Sequence, residues 1–151
     1  MKVEALDDGA PQKVIVAASK RGRSHAQEAK PRDDHFKMAH LENGWYIMAV
    51  ADGAGSAKYS REGSRIACET VIKHCEEELA KCQSFEDNIN LWHLDQGSVE
   101  AGKLISADIY RIVGNAALKA HRAINEEAKL QQIPSKAYAT TLLLAICKKF
   151  G

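Results

Sequence analysis

Two neighbouring carboxylates, Asp33 and Asp34, stand just ahead of one apolar run, and a third, Asp52, closes the next and is followed at once by Gly53. Carboxylates brought close together repel unless a proton or cation intervenes, and hard divalent cations such as Mg2+ and Mn2+ prefer oxygen ligands. Gly53 adds a main-chain carbonyl that no side chain shields. The chemistry within reach is that of a divalent cation held at a strand end, although Asp-Gly is also an ordinary turn and adjacent acids are often simply solvated.

Other chemistries fit less well. The stretch GAGSAKYS lacks the G-x-x-x-x-G-K-[ST] spacing of a phosphate loop, since Lys58 is followed by Tyr59 after a differently spaced pair of glycines. Nucleophile-elbow, zinc-protease and calcium-loop patterns are absent. His25, in GRSH, reads either as a general base or phosphate contact, or as a loop histidine bonded to neighbouring backbone. His35, beside the acids, reads either as a support for them or as surface.

The carboxylates must be positioned by the elements around them. Residues 13–19, KVIVAAS, predict a buried strand. His35–His40 and Trp45–Ala51 predict an antiparallel pair joined through Asn43-Gly44, a favoured hairpin dipeptide. Such a hairpin carries Asp33, Asp34 and Asp52 to the same end of the sheet. From about Ser60 a helix is expected, with Ala67, Val71, Cys75 and Leu79 at every fourth position and Cys68 and Ile72 widening the stripe.

A connection with one short helix follows, its start marked by Ser84 and Asp87 as a capping box. A long helix from Val99 or Ala101 to Leu130 comes next, interrupted in propensity by Gly114 and closed by Pro134. Residues 138–147, YATTLLLAIC, predict an interior strand. The order strand, hairpin, helices, strand favours a layered α+β arrangement over regular β-α-β alternation.

Composition bounds these readings. The 151 residues, 45% apolar and 27% charged, describe one globular unit or part of a larger one. Much of the apolar share is alanine, which buries little area per residue. Twenty-one Lys plus Arg against 20 Asp plus Glu leave a formal charge of +1, so composition gives no field to attract nucleic acid. Three of the four cysteines, Cys68, Cys75 and Cys82, are seven apart on one helix without a CxxC, which reads as structural thiols in a reducing compartment. No run reaches the ~18 apolar residues of a membrane span and no secretory leader is evident, so a cytoplasmic, membrane-free protein is expected.

Taken in order, GRSHAQEAKPRDDHF, WYIMAVADGAGSAKYSREGSRIAC and YATTLLLAI resemble the PP2C-type metal-dependent serine/threonine phosphatases, particularly their bacterial branch with a G-x-S-H segment. The resemblance rests on the ordered combination: an acid followed by Asp, an apolar strand ending in Asp-Gly-x-Gly, a Gly-Ser helix start, and a later Ala-Thr-Thr strand. It implies a four-layer α-β-β-α sandwich with two central antiparallel sheets and a two-metal centre of Mn2+ or Mg2+ at one sheet end. By motif position, Asp52 resembles the carboxylate that bridges both metals and Gly53 the residue whose carbonyl contacts one. Asp33 falls at the family's usual acidic position, and Asp34 at the following Asp that supports the centre or its waters.

The implied reaction is hydrolysis of phosphoserine or phosphothreonine in a phosphoprotein by a metal-bridging hydroxide, with no covalent phosphoenzyme. Ala54 departs from the His found there in many eukaryotic relatives. Ala29 stands at the position of a phosphate-binding arginine, leaving Lys30, Arg32, Arg21 or Arg23 as substitutes.

Family domains are longer, and their C-terminal part supplies a further Gly-Asp motif and a final Asp. Residues 1–151 are therefore expected to form a partial phosphatase domain, with full activity in a complete parent and little in this chain. The alternative expectation is a non-catalytic phosphatase-like interaction or regulatory module. A third is association of copies through an uncovered sheet edge.

Overall fold

The computed structural model describes residues 2–7, 14–20, 32–94 and 98–148. Two strands, β1 (Lys2–Asp7) and β2 (Val14–Ser19), form an antiparallel ribbon with Lys2 opposite Ser19 and Asp7 opposite Val14. A separate antiparallel sheet has the order β3 (His35–His40), β4 (Trp45–Ala51), β5 (Leu143–Lys148), with β4 in the centre. Between β4 and β5 lie the helices α1 (Ser60–Lys81), α2 (Gln83–Leu94) and α3 (Val99–Leu130), then a 3-10 turn at Ser135–Tyr138. The result is a mixed α and β fold, with antiparallel sheets and a helical layer over one sheet face.

The hairpin forms as its turn residues dictate. Gly44 takes φ 87°, a left-handed conformation that glycine enters without penalty, and its N–H closes the turn onto the Leu41 carbonyl at 2.9 Å. Asn43 donates its side-chain amide to the Leu79 carbonyl at 3.0 Å, which pins the turn to the C-terminal end of α1.

Period-two alternation sends Ala39, Trp45, Ile47, Ala49 and Ala51 to the face beneath α1, where they meet Ala67, Cys68, Val71, Ile72, Cys75 and Leu79. That helical stripe is the expected one. Fully burying each large member contributes about 1.5–3 kcal/mol. Helix α3 packs on α1 and α2 through Ile112, Ala116 and Ala120, and its alanines let the helices approach closely. Arg111 on α3 ties this pair at the surface by reaching Glu78 on α1 at 2.6 Å.

Helix α3 has well-defined ends. Ser98 accepts the Ala101 N–H through its hydroxyl at 3.3 Å. At the other end Gln132 turns left-handed at φ 56°, and Ile133 N–H reaches back to the Ala128 carbonyl at 2.9 Å, a Schellman closure with Pro134 just beyond. Gly114 does not interrupt the helix, because it lies on an open face where a Cβ would meet nothing within 4 Å.

The structure departs from the sequence reading at four places. The segment KVEALD forms a strand not expected from its sequence, stabilised by pairing with β2. Strand β2 is not buried throughout, since Val16 is 63% exposed. The last strand begins at Leu143 rather than Tyr138, because Tyr138 is buried in the 3-10 turn after Pro134; among the described residues it is an edge of its sheet, not interior. Ser84 caps nothing, because α2 already starts at Gln83, whose side-chain amide bonds Asp87 at 3.0 Å.

All four cysteines are free thiols. Cys68 and Cys75 are buried, and burial pushes the Cys75 thiol up to about 11. Among the described residues, no helix is long and apolar enough to cross a membrane.

Candidate functional site

The β3–β4 register pairs His35 with Ala51. Extended past the ladder, it brings Asp34 level with Asp52 and Asp33 level with Gly53. Packing bears this out at Gly53: a Cβ there would lie 2.8 Å from the Asp33 carbonyl oxygen, 2.8 Å from Ser60 Cβ and 3.0 Å from Asp33 Cβ. The missing side chain is what lets the two strand ends and the start of α1 close on one another. Asp33, Asp34, Asp52 and Gly53 accordingly line one cavity of about 470 Å3 with Thr140 and Thr141.

Each of these residues is placed by identifiable contacts. Ser64, fully buried in the second turn of α1, donates its hydroxyl to the Asp33 carbonyl at 2.5 Å. Asp52 is held at the main chain by the segment before β5: its N–H donates to Thr141 Oγ1 at 3.1 Å, and its carbonyl accepts Thr141 N–H at 2.9 Å and Thr140 Oγ1 at 3.0 Å. Ala54 N–H reaches the Ala139 carbonyl at 2.9 Å, and Gly53 bridges Thr140. The Asp52 side chain is left exposed, so the clamp fixes its backbone while its carboxylate stays open to a ligand.

The start of α1 is seated on the 3-10 turn. A Cβ on Gly63 would fall 2.0 Å from the Tyr138 carbonyl oxygen, so only glycine permits this approach. Tyr59 stacks on Tyr138 with ring centroids 5.4 Å apart and donates its N–H to the Ala137 carbonyl at 2.8 Å. These contacts give the Gly-Ser helix start and the Ala-Thr-Thr segment a common physical role, as the two sides of the wedge that carries Gly53 and Asp52.

The donor set is oxygen-rich and suits a hard cation in kind. Among the described residues, however, no group of three or more His, Cys, Asp or Glu side chains is arranged to hold a metal ion. The three carboxylates share a cavity without forming a closed ligand set.

A second cavity, of about 630 Å3, opens beside the first and shares Asp33, Asp34 and Gly55 with it. Arg32 and half-buried His35 line it, and Arg32 donates to the Ser19 carbonyl at 3.2 Å. The Arg65 guanidinium beside Glu62 holds that carboxyl below its usual range. His25, Arg21, Arg23, Ala29 and Lys30, with the G-x-S-H segment, lie outside the described residues. The sequence reading missed Thr140 and Thr141 as the clamp on Asp52 and Lys58 and Arg61 as lining of the second cavity. The only available signal was two consecutive threonines before an apolar run, and basic residues flanking a glycine-rich loop.

An antiparallel sheet under helices, with acids gathered at a strand end around an Asp-Gly corner, makes this an α+β domain with an oxygen-rich corner at one sheet end. A family model described as protein phosphatase 2C matches residues 21–150, and the chain belongs to that family. Its members in general act on phosphoproteins and use divalent metal ions. No curated protein and no solved structure matches the chain.

Proposed function

We propose that this fold serves metal-dependent hydrolysis of phosphoserine or phosphothreonine in proteins, with Asp33, Asp52 and the Gly53 carbonyl as metal ligands and Asp34 orienting the centre. The observation that carries this reading is the convergence of all four residues on one cavity at a single sheet end, in a chain of the protein phosphatase 2C family. Mn2+ or Mg2+ bound there lowers the pKa of water and offsets charge developing on the phosphoryl oxygens. The chain's own residues supply the rest. Asp52 presents its carboxylate from a backbone clamped by Thr140 and Thr141, Asp33 is seated by Ser64 and Gly53, and Arg32, next to Asp33 and lining the adjoining cavity, is a candidate to orient the phosphoryl group.

Among the described residues the carboxylates do not close a ligand set, so weak Mn2+ binding and little turnover are expected of this chain. The lack of a closed ligand set among the described residues also favours a second reading, a phosphatase-like interaction module. Calorimetric Mn2+ titration and phosphate release from a phosphoserine peptide, on the chain and its Asp52→Asn variant, test both. Asp52 is exposed, so the variant should keep its stability within about 0.5 kcal/mol. Loss of Mn2+ binding in the variant supports the metal reading, whereas Mn2+ binding and turnover that survive the substitution contradict it. No Mn2+ binding in either chain favours the interaction module.

A further inference from the structure

The cavity beside the carboxylates is larger than one phosphoryl group requires and carries cations that the proposed hydrolysis does not use. Its volume of about 630 Å3 falls in the range of sites for whole ligands, roughly 300–1,000 Å3. Lys58 and Arg61 line it, both exposed, and among the described residues neither makes an ion pair. Arg65, one turn further along α1, differs in being bound to Glu62 and Glu69.

The two unpaired cations sit on a fixed base. Lys58 Nζ lies 5.3 Å from the centroid of the Tyr59 ring, a cation–π distance, and Tyr59 is stacked on buried Tyr138 and hydrogen-bonded to Ala137. Arg61 projects from the first turn of α1, which is wedged at Gly63 against the same 3-10 segment. Asp33, Asp34 and Glu62 line the same cavity, but Glu62 is bound to Arg65, so Lys58 and Arg61 keep charge available to attract an incoming anion.

Because the two cavities share Asp33, Asp34 and Gly55 in their linings, a chain whose phosphorylated side chain reaches Asp33 and Asp52 can place neighbouring residues against Lys58 and Arg61. We propose that Lys58 and Arg61 form a subsite for an acidic or phosphorylated residue flanking the reacting phosphoserine or phosphothreonine, and so bias the protein toward acidic substrate segments. The inference rests on the phosphatase reading for its orientation, but its test does not depend on turnover.

The test uses two fluorescent phosphoserine peptides, one flanked by glutamates and one by alanines, titrated with the full chain in metal-free, low-salt buffer and read by anisotropy. The acidic peptide is expected to bind about fivefold tighter, a ratio that Lys58→Ala/Arg61→Ala abolishes and Lys58→Arg/Arg61→Lys preserves. Removal of two exposed lysines elsewhere on α1, Lys73→Ala/Lys81→Ala, should leave the ratio intact. Equal affinity for the two peptides in the unmodified chain overturns the proposal, as does a preference that survives the double alanine variant or is lost equally in the distant one. Acidic preference in a chain that binds no Mn2+ in the calorimetric titration supports this subsite while counting against the metal-dependent reading, and Mn2+ binding without acidic preference rejects the subsite alone.

Discussion

Thr141 holds Asp52 by the main chain in both directions, accepting its N–H at 3.1 Å through Oγ1 and donating its own N–H to the Asp52 carbonyl at 2.9 Å. The two residues are 89 apart in sequence, so the corner bearing the proposed metal ligand is set by a segment that itself contributes no carboxylate.

Replacing both hydroxyls, in Thr140→Val/Thr141→Val, leaves the β-branched shape and removes the side-chain half of the clamp. Each lost hydrogen bond is expected to cost about 0.5–1.5 kcal/mol, and Mn2+ affinity should fall with it because Asp52 is no longer fixed. Urea unfolding and calorimetric Mn2+ titration check the two effects. Unchanged Mn2+ affinity with lowered stability would show that the clamp supports only the fold.

Gly53→Ala tests the join between the strand ends directly. The new methyl would lie 2.8 Å from the Asp33 carbonyl oxygen and from Ser60 Cβ, so Asp33 has to move away from the corner. A stability loss of about 1–3 kcal/mol is expected, together with a loss of cation binding at least as large as that of Asp52→Asn. Normal Mn2+ binding in Gly53→Ala would mean that the Asp33–Gly53 contact has no part in the site.

The same glycine logic separates two positions that look alike in the sequence. Gly63 and Gly114 both lie inside helices, but a Cβ at Gly63 meets the Tyr138 carbonyl at 2.0 Å while one at Gly114 meets nothing within 4 Å. Gly63→Ala should destabilise by about 3 kcal/mol or more, and Gly114→Ala should stabilise by up to about 1 kcal/mol through helix propensity. Urea midpoints of the two variants moving in the same direction would contradict the packing described at the start of α1.

What was legible in the sequence follows from how local the cause is. The stripe Ala67, Val71, Cys75, Leu79 announces α1 because a helix repeats its own face, and Asn43-Gly44 announces the hairpin that brings Asp33, Asp34 and Asp52 to one end. Strand β1 is not announced, because KVEALD mixes charges with small apolar residues and becomes a strand through β2. Tyr138 to Thr141 has strand-forming side chains yet serves as turn and clamp, since Gly63 and Asp52 claim its backbone from elsewhere in the fold. The cavity lining by Lys58 and Arg61 likewise depends on where Tyr59 stacks, a contact 79 residues away along the chain.

His74 provides a pH-dependent test of the α1–α3 interface. It is 4% exposed, and neither ring nitrogen has a hydrogen-bond partner in good geometry. Burial, reinforced by Lys119 on α3, lowers its pKa below the ordinary 6.5, with Glu78, Glu77 and the Ile112 backbone opposing the shift only in part. The unfolded chain therefore takes up this proton before the folded one does, so stability is full above about pH 6.5 and falls as pH drops through 6.5 toward the folded value. Glu62 and Glu78, held below 4.5 by Arg65 and Arg111, titrate in a more acidic window. Urea midpoints measured from pH 7.5 to pH 5 should fall more steeply for the unmodified chain than for His74→Leu, and parallel curves would show that His74 does not charge on unfolding in this range.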